Sequence, residues 1–318
     1  MKPPYDIFPQ ILSLISSIST KLGEVNANHF QRQSPGLRKQ NRIKTIHSTL
    51  QIEGNTLSEE QITAIIESRK VIGPKKDVTE VLNAIKVYDN LTRFKPTSQK
   101  SFLEAHKLLM HGLIESPGKY RNKGVGIAHG SNVAHIAPPA KNVSYLMADL
   151  FAYLKNDKDI SLIKSCVFHY EMEFIHPFLD GNGRMGRLWQ IVILLQDFPV
   201  FEFLPFETLI AKNQDQYYRS LSISDKAGKS TAFIEYMLTI IDQALKDLLN
   251  FNNRILKDLD RLDYYKALGN NIFSRKDYMN TFKNLSSATA SRDLLKGLEK
   301  GLLTKEGDKN QTRYRFNK

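Results

Sequence analysis

Between His176 and Trp189 the chain reads HPFLDGNGRMGRLW, and it continues as QIVILLQDF. Three glycines, a histidine, a carboxylate, an asparagine and two arginines crowd in just ahead of an apolar run with helical length. That run must be buried, so the polar stretch has to sit where a buried helix begins. In DGNG the glycines let successive backbone N–H groups point the same way, which makes an anion-binding nest. A helix starting near Arg184 adds unpaired amides and its positive dipole end to the same spot. Arg184 and Arg187 are three residues apart and share one side of the first turn. Two guanidiniums beside a nest suit a polyphosphate better than a single carboxylate.

Asp180 has two readings. It is either a helix-start carboxylate favoured by the dipole or a ligand for Mg²⁺ bridging phosphate oxygens. His176, at the end of the preceding helical run, is placed for a neutral imidazole to take a proton from an attacking hydroxyl. The spacing matches neither a Walker P-loop, which needs Lys-Ser/Thr after its last glycine, nor a kinase glycine-rich loop. On chemistry alone the segment is an anion or nucleotide site, with a structural glycine-rich helix cap as the alternative.

Most of the chain reads as helix, so the fold class expected is all-α. Apolar residues recur at three- and four-residue steps from Ile7 to Leu22, and LRKQNRIKTIHSTLQIEG (Leu37 to Gly54) forms a second helix that stops at Gly54. Ser58 with Gln61 makes a capping box for a third. Further helices are expected near 77–94, 99–114, 142–155, 160–175, 184–197 and 229–250. The break in the pattern is Tyr120 to Val143, where Gly124, Gly126 and Gly130 separate short β-prone pieces before Pro138-Pro139. This reads as a hairpin. Two strands without a sheet are barely stable, and covering a ligand would give them a reason.

From Arg254 to Lys318 there are 15 Lys+Arg against 8 Asp+Glu, so this fifth of the chain carries +7 of a net +12. Helix, helix and a Gly-Asp turn between two strand-like pieces suggest a small C-terminal winged-helix domain. The expected divisions are 1–95, 96–250 and 251–318. The basic balance fits acidic partners such as nucleotides, nucleic acid or acidic protein surfaces. The lone cysteine, Cys166, excludes an intrachain disulfide and reads as a buried small hydrophobe. No apolar run reaches about 18 residues, so no membrane span is expected. The opening MKPPYDIF lacks a signal-peptide layout, and a cytoplasmic setting follows as an expectation.

HPFLDGNGRMGR matches the Fic signature, His-Pro-Phe-x-(Asp/Glu)-Gly-Asn-Gly-Arg-x-x-Arg, at every defined position. The family lead-in is present at His169, Phe174 and Ile175. The chain therefore resembles the Fic family over roughly residues 5–250. The resemblance implies a helical core with a β-hairpin flap and transfer of AMP from ATP to a protein hydroxyl (Tyr, Thr or Ser). It implies His176 as general base and Asp180 as the Mg²⁺ ligand. It also implies Gly181, Asn182 and Gly183 as the anion hole, and Arg184 and Arg187 on the outer phosphates with Met185 and Gly186 between them. Pro177 and Phe178 would orient and anchor the loop.

The flap would dock a target segment along Val133, Ala134, His135 and Ile136. His129 and His135 lack the spacing and partners of a zinc site. STLQIEGN resembles the family's inhibitory motif, (Ser/Thr)-x-x-x-Glu-(Gly/Asn), at Thr49, Glu53 and Gly54. That resemblance implies Glu53 paired with Arg187, withholding the arginine that should hold the γ-phosphate. In some relatives the same glutamate aligns water to remove AMP. Tyr217, in NQDQYYRSL, is the candidate to stack on adenine, with core packing of Tyr217 and Tyr218 as the alternative. Self-modification and homodimerisation are compatible with this reading. The competing function is a DNA-binding regulator whose C-terminal module reads a groove with Arg292 and Lys296.

Overall fold

The computed structural model describes residues 2–27, 35–129, 132–253, 258–267, 272–282, 285–307 and 312–317. It divides into two compact units, Met1–Gln31 with Asn41–Leu249, and Arg32–Gln40 with Asn250–Lys318. The first unit thus holds most of both 1–95 and 96–250.

Fourteen helices and five strands are described. The first unit begins with α1 (Pro9–Ala27), α2 (Pro35–Gln51), α3 (Glu59–Ile66), α4 (Lys75–Tyr88) and α5 (Gln99–Leu109). The hairpin of β1 (Gly126–His129) and β2 (Asn132–Ile136) follows, then α6 (Ala140–Asn156), α7 (Ser161–Ile175) and α8 (Asn182–Leu194). It ends with α9 (Glu207–Lys212), α10 (Gln214–Ala227) and α11 (Thr231–Asn253). Local chemistry explains several boundaries. The Ser58 hydroxyl accepts from Gln61 N while the Gln61 side chain accepts from Ser58 N, so α3 opens on the expected capping box. After α2 the chain turns at Gly54 in a left-handed conformation (φ 87°).

At the centre of this unit lies α8. From Arg184 onward every residue of it is buried, as an apolar helix requires. Trp189, read as a core residue, donates from its indole to Pro96 O (3.0 Å) and packs edge-on against Phe102. Cys166 is buried, and burial pushes its thiol up to about 12, so it is inert.

The second unit runs α12 (Asp258–Ala267), β3 (Ile272–Phe273), α13 (Arg275–Thr281), α14 (Ser287–Glu299), β4 (Leu303–Glu306) and β5 (Arg313–Phe316). Its antiparallel sheet has the order β3-β5-β4. Its own core gathers Leu262, Tyr265, Phe273, Tyr278, Leu294 and Phe316, among others. Among the described residues no helix is long and apolar enough to cross a membrane.

Candidate active site

The loop joining α7 to α8 carries the signature residues. His176 closes α7 in the left-handed region (φ 49°, ψ 60°), its N–H still bonded to Met172 O. A non-glycine residue holds that conformation only when its surroundings fix it. Arg121 does so. Its Nε donates to His176 O at 2.7 Å, and its Nη groups reach the carbonyls of Ile175, Lys123 and Pro138. One buried guanidinium therefore ties the catalytic candidate to the exit of the flap.

His106 fixes the other end of the loop. Its Nδ1 accepts from Gly118 N (2.8 Å), so Nε2 carries the proton and donates to Asp180 O (3.0 Å). The ring stacks on Phe178 at 3.5 Å, and burial pushes its pKa down to about 4. Asn182 braces the loop from inside: its Oδ1 accepts from Phe178 N and its Nδ2 donates to Phe178 O. Both polar atoms of that side chain thus serve the loop itself, and its backbone amide faces the start of α8 unbonded within the helix. Gly181 takes φ 86°, and a Cβ there would meet Met110 Sδ at 2.7 Å.

The first backbone bond of α8 runs from Met185 N to Gly181 O, which leaves the amides of Asn182, Gly183 and Arg184 outside the ladder. The Glu53 carboxylate lies beside these amides. A Cβ on Gly183 would sit 2.5 Å from Glu53 Oε1, so a side chain there would push the carboxylate aside. Arg187 donates from Nη2 to Glu53 Oε1 at 2.7 Å and to Thr49 O at 3.0 Å, and from Nε to Thr49 Oγ1 at 2.9 Å. The expected trio of Thr49, Glu53 and Arg187 is together. Burial alone would lower the pKa of Arg187, but the adjacent Glu53 carboxylate holds it above its ordinary value. Arg184 is buried between Glu80 (2.8 Å) and Asp180 (2.9 Å). Among the described residues, Arg184 Nε and Arg187 Nη1 have no hydrogen-bond partner.

Three of the residues expected at the nucleotide are buried in this structure. Met185 is buried in the core and its N–H is already bonded. Gly186 serves close packing: a Cβ would fall 2.6 Å from the ring of His169 on α7. Tyr217 is only 1 % exposed, with its hydroxyl on His169 Nε2 (3.0 Å), which is the core packing given as its alternative. The neighbouring Tyr218 is half-buried. His169 itself is held by Gln190 at 2.7 Å, and burial pushes it down to about 3.

The flap is an antiparallel pair whose register shifts between Ile127 and Ala128. Gly130 and Ser131, and the side chains of Val133, Ala134, His135, Ile136 and His129, lie outside what is described.

Asp180 is the oxygen donor available for Mg²⁺. Its side chain is 45 % exposed, and Oδ1 accepts from Gly181 N and Arg184. Among the described residues no cluster of three or more His, Cys, Asp or Glu could hold a metal by itself. Mg²⁺ typically takes one or two carboxylates and fills its shell with phosphate and water. Sequence reasoning missed Glu80, His106 and Arg121. None carries a local signal, since each acts on a partner 55 to 104 residues away.

Residues 96–194 match the model of the Fic/DOC family. A crystal structure of a Fic family protein from Desulfovibrio desulfuricans G20 is 38% identical, covers 100% of this chain and 98% of that one, and superposes with a TM-score of 0.79. The chain belongs to the Fic family. The Fic-1 structure from C. elegans (21% identity, 76% of this chain and 72% of that one, TM-score 0.63) shares the fold. Among curated proteins, the protein adenylyltransferase fic-1 of Caenorhabditis briggsae is 30% identical over 208 residues, 60% of this chain and 38% of that protein. The Fic chain here thus spans under half the length of that relative.

Proposed function

We propose that the protein is a Mg·ATP-dependent protein adenylyltransferase that moves AMP onto a hydroxyl side chain of a protein and is restrained by its own Glu53. One observation carries this reading. A carboxylate from the turn after α2 stands at the start of α8, 2.7 Å from Arg187 and against the Cα of Gly183, where an added Cβ would meet it at 2.5 Å. An internal anion in a nest of free amides and arginines stands where a phosphate would bind. The adenylyltransferase name of the Caenorhabditis relative points the same way.

With Glu53 withdrawn, Arg187 and Arg184 turn their unpaired N–H groups to the outer phosphates, and the first amides of α8 hold the inner ones. A target hydroxyl, laid along the flap, attacks the α-phosphorus while its proton passes to the His176 imidazole. The bond to the β-phosphate oxygen breaks, and pyrophosphate leaves with its charge met by the two arginines. Asp180 would hold Mg²⁺, which would supply further neutralisation of the phosphates. Tyr218, half-buried and edge-on to Tyr217, is the aromatic offered to the nucleotide beside it. The C-terminal unit, with its paired helices and three-stranded sheet, is read as a winged helix that docks protein or nucleic acid.

The test is mass spectrometry of lysate proteins after incubation with ATP. The Glu53→Gly chain should label proteins about 10- to 100-fold more than the wild type, the rate equivalent of one charge-assisted hydrogen bond. Adding His176→Ala should abolish labelling while ATP still binds. No AMP on any protein, the enzyme included, would sink the reading.

A further inference from the structure

Arg184 and Arg187 are held in different ways. Arg187 is plugged by Glu53. Arg184 lies between Asp180, half-exposed and bonded through one oxygen, and Glu80, which is buried on α4. Glu80 is fully engaged: Oε1 accepts from Arg184 Nη1 at 2.8 Å, and Oε2 accepts from Asn55 Nδ2 at 2.8 Å. Asn55 is pinned in turn, donating to Asp77 O and accepting from Leu57 N. It stands two residues after Glu53, across Gly54.

We propose that Glu80 is the positioning residue for Arg184, and that Asn55 ties it to the inhibitory segment so that both phosphate arginines answer to the same stretch of chain. The proposal rests on the adenylyltransferase reading. A buried guanidinium needs a countercharge whether or not a ligand is present. Asp180, open to solvent and suited to Mg²⁺, is the partner that can leave. Glu80, buried with both oxygens engaged, is the one that stays. Arg184 is then gripped at Nη1 while Nη2 and the unpaired Nε are left to a phosphate. Glu80 is the anchor, not a competitor for the ligand.

The test uses the full chain in the Glu53→Gly background. It reads Kd for Mg·ATP by calorimetry, together with KM and kcat for AMP transfer. Glu80→Gln sets an amide N–H₂ against one of its two donors, so Kd and KM should rise about tenfold with kcat within about threefold. Glu80→Asp, which keeps the charge, should recover much of the loss. Asn55→Ala should raise Kd about two- to threefold. A folded Glu80→Gln chain with unchanged Kd, with a lower Kd, or with kcat alone reduced would overturn the proposal. If that chain does not fold, Asn55→Ala decides, and an unchanged Kd overturns it. If the Glu53→Gly parent binds ATP yet transfers no AMP, the proposed function fails while the Kd series still judges Glu80.

Discussion

Two arginine–carboxylate pairs, one in each unit, have opposite designs. In the C-terminal unit Arg261 meets Asp293 through two parallel bonds of 2.6 and 2.7 Å, and Tyr278 adds a third bond to the same carboxylate. Asp293 is 2 % exposed. In the Fic core Arg187 meets Glu53 through one bond, and the acid is 24 % exposed while the arginine is 1 % exposed. The first pair is a pin inside a small core. The second has its acid partly on the solvent side and at a chain turn. Geometry of this kind, more than charge, would separate a structural ion pair from the releasable one that the proposed function requires.

Breaking the pin should cost most. Asp293→Ala leaves Arg261 buried without its charge partner and removes the acceptor of Tyr278, at a cost of about 3–5 kcal/mol. Hydrogen exchange of α12 and α14 should lose its protection; retained protection would make the two pairs alike. Breaking the plug should cost less. In Glu53→Gly the corner opens to water and Glu173 stays near Arg187, so about 1–2 kcal/mol is expected. Saturating ATP should then raise Tm more in the mutant than in the wild type.

The loop beneath the plug responds to acid. His106 is held neutral, with a pKa pushed from 6.5 to about 4 by burial. The unfolded chain therefore takes up a proton near pH 6.5 that the folded one refuses until about 4. Stability is full above 6.5 and falls across that window, by about 3 kcal/mol through His106, with His169 acting in the same sense. Denaturant midpoints at pH 7 and 4.5 read this directly, and His106→Gln should flatten part of the slope.

What the sequence made legible was local. Periodicity located most helices, and the Ser58–Gln61 box and the Gly54 stop marked their ends, because those signals act within a few residues. The stretch from Phe201 to Ala227 was not resolved into helices. Phe201, Phe203 and Phe206 hide the period, and the break between α9 and α10 rests on one residue, Asn213 (φ −145°). Long-range pairing was legible only where a resemblance named it. Glu53 found Arg187 that way across 134 residues, whereas Glu80 found Arg184 across 104 with no motif to announce it. Membership of a motif also does not say which way a residue faces. On α8, Arg184 and Arg187 share the site face, so Met185, one step round, must point into the core. For Tyr217 and Tyr218, adjacency guaranteed different faces but did not say which was inward.

Glu207, at the start of α9, offers the mildest contrast with Asp293: a buried acid without a bonded side-chain partner among the described residues. It is wholly buried. Burial pushes its pKa up to about 8, although the charge of Arg187 pulls the other way. The unfolded carboxyl ionises near 4.5, so the folded protein keeps a proton that the unfolded one has lost. Stability contributed by this site is present below 4.5 and declines as pH rises through about 8. Glu207→Met, of similar length and without the acid, should be near neutral at pH 5 and stabilise by about 1–3 kcal/mol at pH 8. Equal effects at the two pH values would mean that Glu207 is ionised in the fold and held by Arg187, which would make it a third carboxylate competing for that arginine.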